Sequence, residues 1–201
     1  MSPVWEAAAL AGWAALLLNL ALTLRLVRWF RSYQQALRMN ALRAELPELT
    51  VGEPAPPFRA RDLSGAPVRS DDLLSGRTAL VFVSPHCGTC RRDMPSLMTL
   101  AARAERTDGT RMVLVSDSGL GETRSWVSEI RDQDKVDLAV PVLLASGETS
   151  GFLTRYNPRR LTPYFCHIDD AGNVTARGPL HSPAWTPLVR RWNAAAHSAQ
   201  Y

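Results

Sequence analysis

Two cysteines separated by two residues are the part of this sequence best suited to chemistry. Cys87 and Cys90 enclose the dipeptide Gly88-Thr89. A disulfide across so short a loop hardly restrains the unfolded chain, because disulfide stabilisation grows with loop length. The pair therefore indicates a reactive or metal-binding site rather than a structural crosslink.

The elements predicted around the pair place it where a buried strand gives way to a helix. Residues 78–83 are a compact apolar run, typical of a strand buried on both faces. Farther on, apolar residues recur at helical spacing, at Met94, Leu97, Met98 and Ala101. Cys87 is then at the helix start, where backbone N–H groups and the helix dipole stabilise a thiolate. Cys90, one turn later, faces the same side.

This arrangement predicts thiol–disulfide exchange. A Cys87 thiolate attacks a disulfide, and Cys90 resolves the mixed disulfide that forms. His86 and Asp93 are candidates to tune the pKa of the pair. For both, an alternative remains: His86 as an exposed turn residue, and Asp93 as a solvated acid favourable to the helix dipole.

A zinc site uses the same spacing but needs two further ligands. The remaining cysteine and the histidines show no second paired spacing, so neither a metal nor a cofactor is predicted. Cys166 is interpreted as an inert core thiol, and His167 and His181 as surface residues. Three tryptophans at helical positions are interpreted as core, namely Trp126, Trp185 and Trp192.

The other predicted elements alternate along the chain. A proline-rich extended segment at 51–58 and a turn at 64–67 between two short strands come first. They are followed by a strand at 111–116, a helix at 122–131, a strand at 164–168, a hairpin turn at 169–173, a strand near Val174 and a helix at 183–196. This pattern predicts an α/β sandwich around a mixed sheet.

An uncharged apolar stretch precedes this domain. Residues 7–24 are long enough to cross a bilayer, and Trp5 and Trp29 bracket them as interfacial anchors. The flanks lack the features of a cleaved signal peptide. We therefore predict a retained anchor over residues 1–24 that contacts lipid through 7–24, with a buried core helix as the alternative.

Arginines follow the apolar stretch directly. Residues 25–48 are predicted as an arginine-rich helical linker, and 49–201 as the main domain. The net charge of +4 owes much to five linker arginines, Arg25, Arg28, Arg31, Arg38 and Arg43. Their position favours membrane proximity over nucleic acid as the reason for the positive charge.

Residues 50–196 resemble TlpA-like and MauD-like thioredoxin-fold proteins. The segments that carry the resemblance are SPHCGTCRRDMP at 84–95, VGEPAP at 51–56, DLSG at 62–65 and LTPYF at 161–165. It implies a thioredoxin-like three-layer α/β/α sandwich that exchanges disulfides with a protein partner. It also implies that Pro163 is cis, packs against the cysteine pair and shapes the substrate groove, and that Thr162 offers substrate hydrogen bonds. Asp93 stands where these proteins often carry a glutamate.

The sequence leaves two questions open, namely the direction of exchange and the side of the membrane. His86 replaces the tryptophan usual before the first cysteine, and no proline separates the cysteines. Because such residues tune the reduction potential, reductase and oxidase both remain possible, with reductase preferred. The arginine flank predicts a cytoplasmic domain, whereas the resemblance implies an extracytoplasmic one.

Two other functions compete with disulfide exchange. A peroxiredoxin-like peroxidase shares the fold, but its Pro-x-x-x-Thr-x-x-Cys pattern, laid on Pro85 and Thr89, puts Arg92 at the cysteine position. A copper-binding or redox-inactive assembly module is compatible with paired thiolates, but its histidine ligand cannot be located.

Overall fold

The computed structural model describes residues 12–13, 15–28, 48–145 and 151–198, and its contacts divide the chain into two units, Met1–Leu46 and Pro47–Tyr201. In the first unit, residues 12–13 and 15–28 are helical and exposed. Within the described ranges, no helix combines the length and the apolarity needed to cross a membrane. Residues 7–11, residue 14 and linker residues 29–47 lie outside these ranges, so the anchor stays a prediction.

The second unit is built on a seven-stranded mixed sheet. Its strands are β1 (Arg59–Asp62), β2 (Pro67–Arg69), β3 (Thr78–Val83), β4 (Arg111–Ser116), β5 (Val142–Leu144), β6 (Tyr164–Ile168) and β7 (Val174–Pro179). Their order across the sheet is β2-β1-β5-β4-β3-β6-β7. The central strands β3, β4 and β5 are parallel, whereas the outer pairings are antiparallel. The predicted mixed sheet is confirmed, and β5 is a strand that the sequence pattern missed.

Five helices accompany the sheet in the described part of this unit. They are α1 (Ser70–Leu73), α2 (Gly88–Asp108), α3 (Leu120–Gln133), α4 (Phe152–Tyr156) and α5 (Thr186–Ser198). The apolar face predicted for α2 is confirmed, because Met94, Leu97 and Ala101 are buried. Helix α5 begins three residues later than predicted, since backbone turns at Ser182 precede it.

The sheet is covered on both faces. Along β3, Val81 belongs to the apolar cluster shared with α2, α3 and α5, whereas Leu80 belongs to the opposite cluster. That opposite cluster is rich in aromatic rings, and Phe58 stacks on Phe152 with centroids 3.9 Å apart. Strand β3 is therefore buried along its whole length, and this fixes the position of its last residue, Val83, from which the chain turns towards Cys87.

The structure tests the remaining core assignments. Cys166, Trp126, Trp185 and Trp192 are all buried, so their predicted core positions are confirmed, although Trp185 lies in the turn just before α5. The surface position predicted for His167 is wrong, because its exposed fraction is 2%. The strand that carries His167, β6, lies between β3 and β7, and the ring of His167 is near Trp192 of α5. These neighbours bury the histidine although its polar side chain suggested a surface position. Its Nδ1 lies 2.5 Å from Thr175 Oγ1, which satisfies the buried ring.

Candidate active site

Cys87 is the N-cap residue of α2. β3 ends at Val83, a three-residue turn follows, and the extended backbone of Cys87 (φ −94°, ψ 101°) leads into the helix. Its sulfur accepts a hydrogen bond from the Cys90 N–H at 3.2 Å. A sulfur thus takes the place of the oxygen that usually caps a helix, where N–H donors and the helix dipole favour negative charge.

Cys90 lies beneath Cys87 and is fully buried, whereas Cys87 is half-buried. Burial raises the pKa of the Cys90 thiol, and its hydrogen bond to the Cys87 sulfur raises it further. Both residues are free thiols in this structure. The two sulfurs therefore differ in chemistry: the outer one is reachable by a partner, and the inner one is held protonated.

The loop before β6 lies against the outer sulfur. The Thr162–Pro163 bond is cis, as the resemblance implies. The Cys87 thiol donates a hydrogen bond to the Thr162 carbonyl oxygen, with sulfur and oxygen 3.4 Å apart. The fold thus brings the pair Cys87 and Cys90 together with Thr162 and Pro163, although Thr162 follows Cys87 by 75 residues.

His86 is directed towards α3. Its Nε2 lies 2.6 Å from Glu122 Oε1 in the first turn of that helix, and 75% of its side chain is exposed. The exposure agrees with the turn-residue alternative, although His86 directly precedes Cys87 in the chain. The guanidinium of Arg91 likewise pairs with an acid instead of a cysteine, since its Nε lies 2.7 Å from Asp134 Oδ2.

The alternative interpretation of Asp93 as a solvated acid is wrong, because its carboxylate is largely covered and paired. Its side chain is 14% exposed, and its Oδ2 lies 2.8 Å from His181 Nε2. Its Oδ1 also lies 3.6 Å from the Nε of the exposed Arg92. The carboxylate is therefore fixed on the flank of α2, one turn beyond Cys90.

His181 is a site residue that sequence reasoning missed. It is a surface residue, as predicted, but its backbone is in the left-handed region (φ 67°), which few non-glycine residues adopt. That conformation turns its ring towards Asp93, 88 residues earlier. No spacing in the sequence could have indicated the pair.

Comparison with known proteins finds a matching family model and solved structures of similar fold. The Redoxin family model matches residues 50–186. A secreted Mycobacterium tuberculosis disulfide oxidoreductase homologous to E. coli DsbE is 27% identical, with a TM-score of 0.52 over 68% of this chain and 95% of that one. No curated protein sequence matches the chain.

More distant structures share the fold. The thioredoxin domain of a Bacteroides vulgatus thiol-disulfide oxidoreductase is 17% identical, with a TM-score of 0.55 over 75% of this chain and 98% of that one. The yeast mitochondrial 1-Cys peroxiredoxin is 14% identical, with a TM-score of 0.58 over 76% of this chain and 78% of that one. The sheet described above is therefore a thioredoxin-like fold.

Proposed function

The chain belongs to the redoxin family and is a thioredoxin-like thiol–disulfide oxidoreductase, and we propose that it exchanges disulfides with a protein partner through Cys87 and Cys90. One observation carries the assignment to these two residues. The sulfur of Cys87 caps α2, accepts the Cys90 N–H and lies beside the cis Thr162–Pro163 loop. The site thus combines an accessible nucleophile with a buried second thiol one helical turn away.

The reaction begins at the outer sulfur. The Cys87 thiolate attacks one sulfur of the partner's disulfide, and the other partner sulfur leaves as a thiolate that takes up a proton. Cys87 then no longer interacts with Cys90 as a thiol, so one of the causes that raise the pKa of Cys90 weakens. Cys90 loses its proton and attacks Cys87, which closes the intramolecular disulfide. The partner is released with both sulfurs reduced, and the same steps in reverse oxidise it.

Thr162 and Pro163 are proposed to bind the partner's backbone. In the free dithiol, the Thr162 carbonyl accepts the Cys87 thiol. A mixed disulfide at Cys87 has no proton to donate, so the carbonyl becomes available to a backbone N–H of the partner. The loop would in this way hold the partner only while it is covalently attached.

His86 and Asp93 are proposed to tune the reactivity of the pair. His86 adjoins Cys87 in the chain and is held by Glu122 at 2.6 Å. Asp93 is held by His181 one turn beyond Cys90. Both side chains are thus held in place within one helical turn of a cysteine along the chain, and a polar group so placed can act on a developing thiolate.

The N-terminal segment is proposed to tether the enzyme to a membrane. Support comes from the uncharged stretch at 7–24 and from the exposed apolar side chains of its described helical residues, such as Trp13, which is 66% exposed. The arginines after it favour a cytoplasmic redox domain. Whichever side it occupies, the compartment sets the redox state of its partners.

Three single variants test the proposed reaction. Cys87→Ser should abolish reduction of a protein disulfide, because no accessible nucleophile remains. Cys90→Ser should accumulate mixed disulfides with the substrate, visible by non-reducing electrophoresis and mass spectrometry. Cys166→Ser is the matched control, because its thiol is buried in the opposite apolar cluster, and it should turn over normally. Normal turnover by the Cys87 and Cys90 variants would refute the assignment.

A further inference from the structure

A groove next to the proposed redox site runs between α2 and α5, with a volume of about 530 Å³. Asp93 and His181 form its end nearest to the cysteine pair. Asp93 lies one turn beyond Cys90, and the residue before His181 donates its N–H to the Pro163 carbonyl at 3.1 Å. A polypeptide attached to Cys87 can therefore continue directly into this α2–α5 groove.

The floor of the α2–α5 groove is apolar. The apolar side chains that line it are Leu97, Leu100, Leu180, Trp185 and Val189. Leu100 and Val189 are only partly buried, so they leave apolar surface in contact with solvent. Covering that surface with an apolar side chain of a partner is favourable, because it removes apolar area from water.

The far end of the groove is basic. Arg103 on α2 donates to Asn193 Oδ1 at 2.5 Å, and Arg190 on α5 is exposed. In the part of the chain that the structure describes, neither guanidinium pairs with a carboxylate. At the near end, the carboxylate of Asp93 is already paired with His181. The groove thus has an excess of positive charge, which a carboxylate of the partner would complement.

We propose that the α2–α5 groove binds the partner polypeptide beside its reactive cysteine, with an apolar side chain on the floor and a carboxylate at Arg103 and Arg190. This inference rests on the proposed exchange at Cys87. Residues 25–46 of the chain itself do not suit the groove, because their five arginines would be repelled by its basic end. A separate acidic and apolar partner is the occupant.

The length of α2 fixes the spacing that the partner needs. Arg103 follows Cys87 by 16 residues, which is roughly 24 Å at the rise of an α-helix. An extended chain covers that distance with about seven residues. The preferred partner therefore carries an acidic residue about seven positions from its reactive cysteine, with apolar residues between them.

Two synthetic peptides test this specificity. Each carries one cysteine as a mixed disulfide with thionitrobenzoate, leucines near it, and either glutamate or glutamine seven positions away on both sides. Cys87 attacks the peptide sulfur and displaces thionitrobenzoate, whose absorbance gives the rate. Cys90 then attacks Cys87, loses its proton to solvent and releases the peptide thiol, so two electrons pass from the dithiol to the peptide disulfide.

At low ionic strength the glutamate peptide should react about three to five times faster than the glutamine peptide. Arg190→Glu and Arg103→Glu should each abolish that preference, whereas Arg106→Glu should keep it. Arg106 is the matched control, because it is exposed on the same helix and does not line the groove.

A small neutral substrate separates failure of the groove from failure of the enzyme. Hydroxyethyl disulfide cannot reach the basic end, so the full-length wild type and all three arginine variants should reduce it equally, which also shows that the variants are folded. If the wild type reduces it but treats both peptides alike, the groove proposal is wrong and the proposed function stands. If the wild type reduces none of the three substrates, the proposed function itself is wrong.

Discussion

Depth below the surface separates the roles of the two cysteines. They occur one turn apart on the same helix, but Cys87 caps the helix at its half-exposed end and Cys90 is fully buried against the core. A buried thiol resists ionisation because the charged form loses its hydration, which is why the pKa of Cys90 is raised. The order of attack follows from that difference, since a partner can reach the sulfur of Cys87 but not the buried sulfur of Cys90.

His167 shows the opposite behaviour of a buried base. Burial, helped by the positive charges of Arg191 and Arg77, lowers its pKa to about 4 against the opposing effect of Asp108 and Asp169. The unfolded chain therefore binds a proton at a higher pH than the folded one does. The stability that comes from keeping this ring neutral is present above pH 6.5, and it is lost as the pH falls towards 4.

His167→Gln should remove this part of the pH dependence. We expect the free energy of unfolding of the wild type to fall, through this group alone, by roughly 3 kcal/mol between neutral pH and pH 4. Urea unfolding across this range measures it. The curve of the variant should be flatter than that of the wild type, and curves that stay parallel would contradict the account.

At the scale of elements, α2 is held between a sulfur cap at one end and a left-handed glycine at the other. Gly109 has a φ of 72°, and its N–H bonds to the Glu105 carbonyl at 3.1 Å. A Cβ there would meet no atom within 4 Å, so the effect of adding one is purely conformational. Gly109→Ala should lower the free energy of unfolding by about 1 kcal/mol without changing the redox reaction.

Gly121 provides the matched control for this prediction. It lies in the first turn of α3 with an ordinary helical backbone and open space around the position of a Cβ. Gly121→Ala should raise the free energy of unfolding by about 0.5 kcal/mol, because the unfolded chain loses freedom. Chemical denaturation of both variants measures the difference, and a Gly109→Ala variant as stable as the wild type would refute the left-handed cap.

Strands and helices could be predicted wherever a run of neighbouring residues carried the apolar pattern. The apolar runs of β3, β4 and β6 match the observed strands, because strands buried on both faces are apolar at most positions. By contrast, β5 has three residues and α4 has five, which is too short for any periodicity to appear.

The rest of the site depends on contacts over long distances in the chain. The His86–Glu122 and Asp93–His181 pairs depend on where the fold places α3 and the turn after β7. The burial of His167 likewise depends on its neighbours in the folded sheet and on α5, which no local pattern encodes. The cysteine pair and the proline loop were found because each is a compact motif.

At the scale of the whole molecule, the proposed anchor predicts that the protein fractionates with membranes. The full-length chain should sediment with membranes and resist extraction by alkaline carbonate, because residues 7–24 would be embedded in lipid. A chain lacking residues 1–46, which form a separate unit, should be found in the soluble fraction. Release of the full-length protein by carbonate would contradict the tether.

Two C-terminal reporter fusions determine the side of the membrane. One reporter is active only in the cytoplasm and the other only outside it. The arginine flank favours activity of the cytoplasmic reporter. Activity of the outer reporter alone would contradict that orientation and leave the redox chemistry unaffected.

The central claim is that Cys87 and Cys90 exchange reversibly between a dithiol and a disulfide. The most direct measurement equilibrates the protein in glutathione buffers of graded ratio, traps free thiols with an alkylating reagent and maps the peptides by mass spectrometry. We predict one two-electron transition in which Cys87 and Cys90 become linked to each other while Cys166 stays a free thiol, and its midpoint gives the reduction potential that separates reductase from oxidase. The absence of a Cys87–Cys90 disulfide across the whole range, or a disulfide that includes Cys166, would contradict the account.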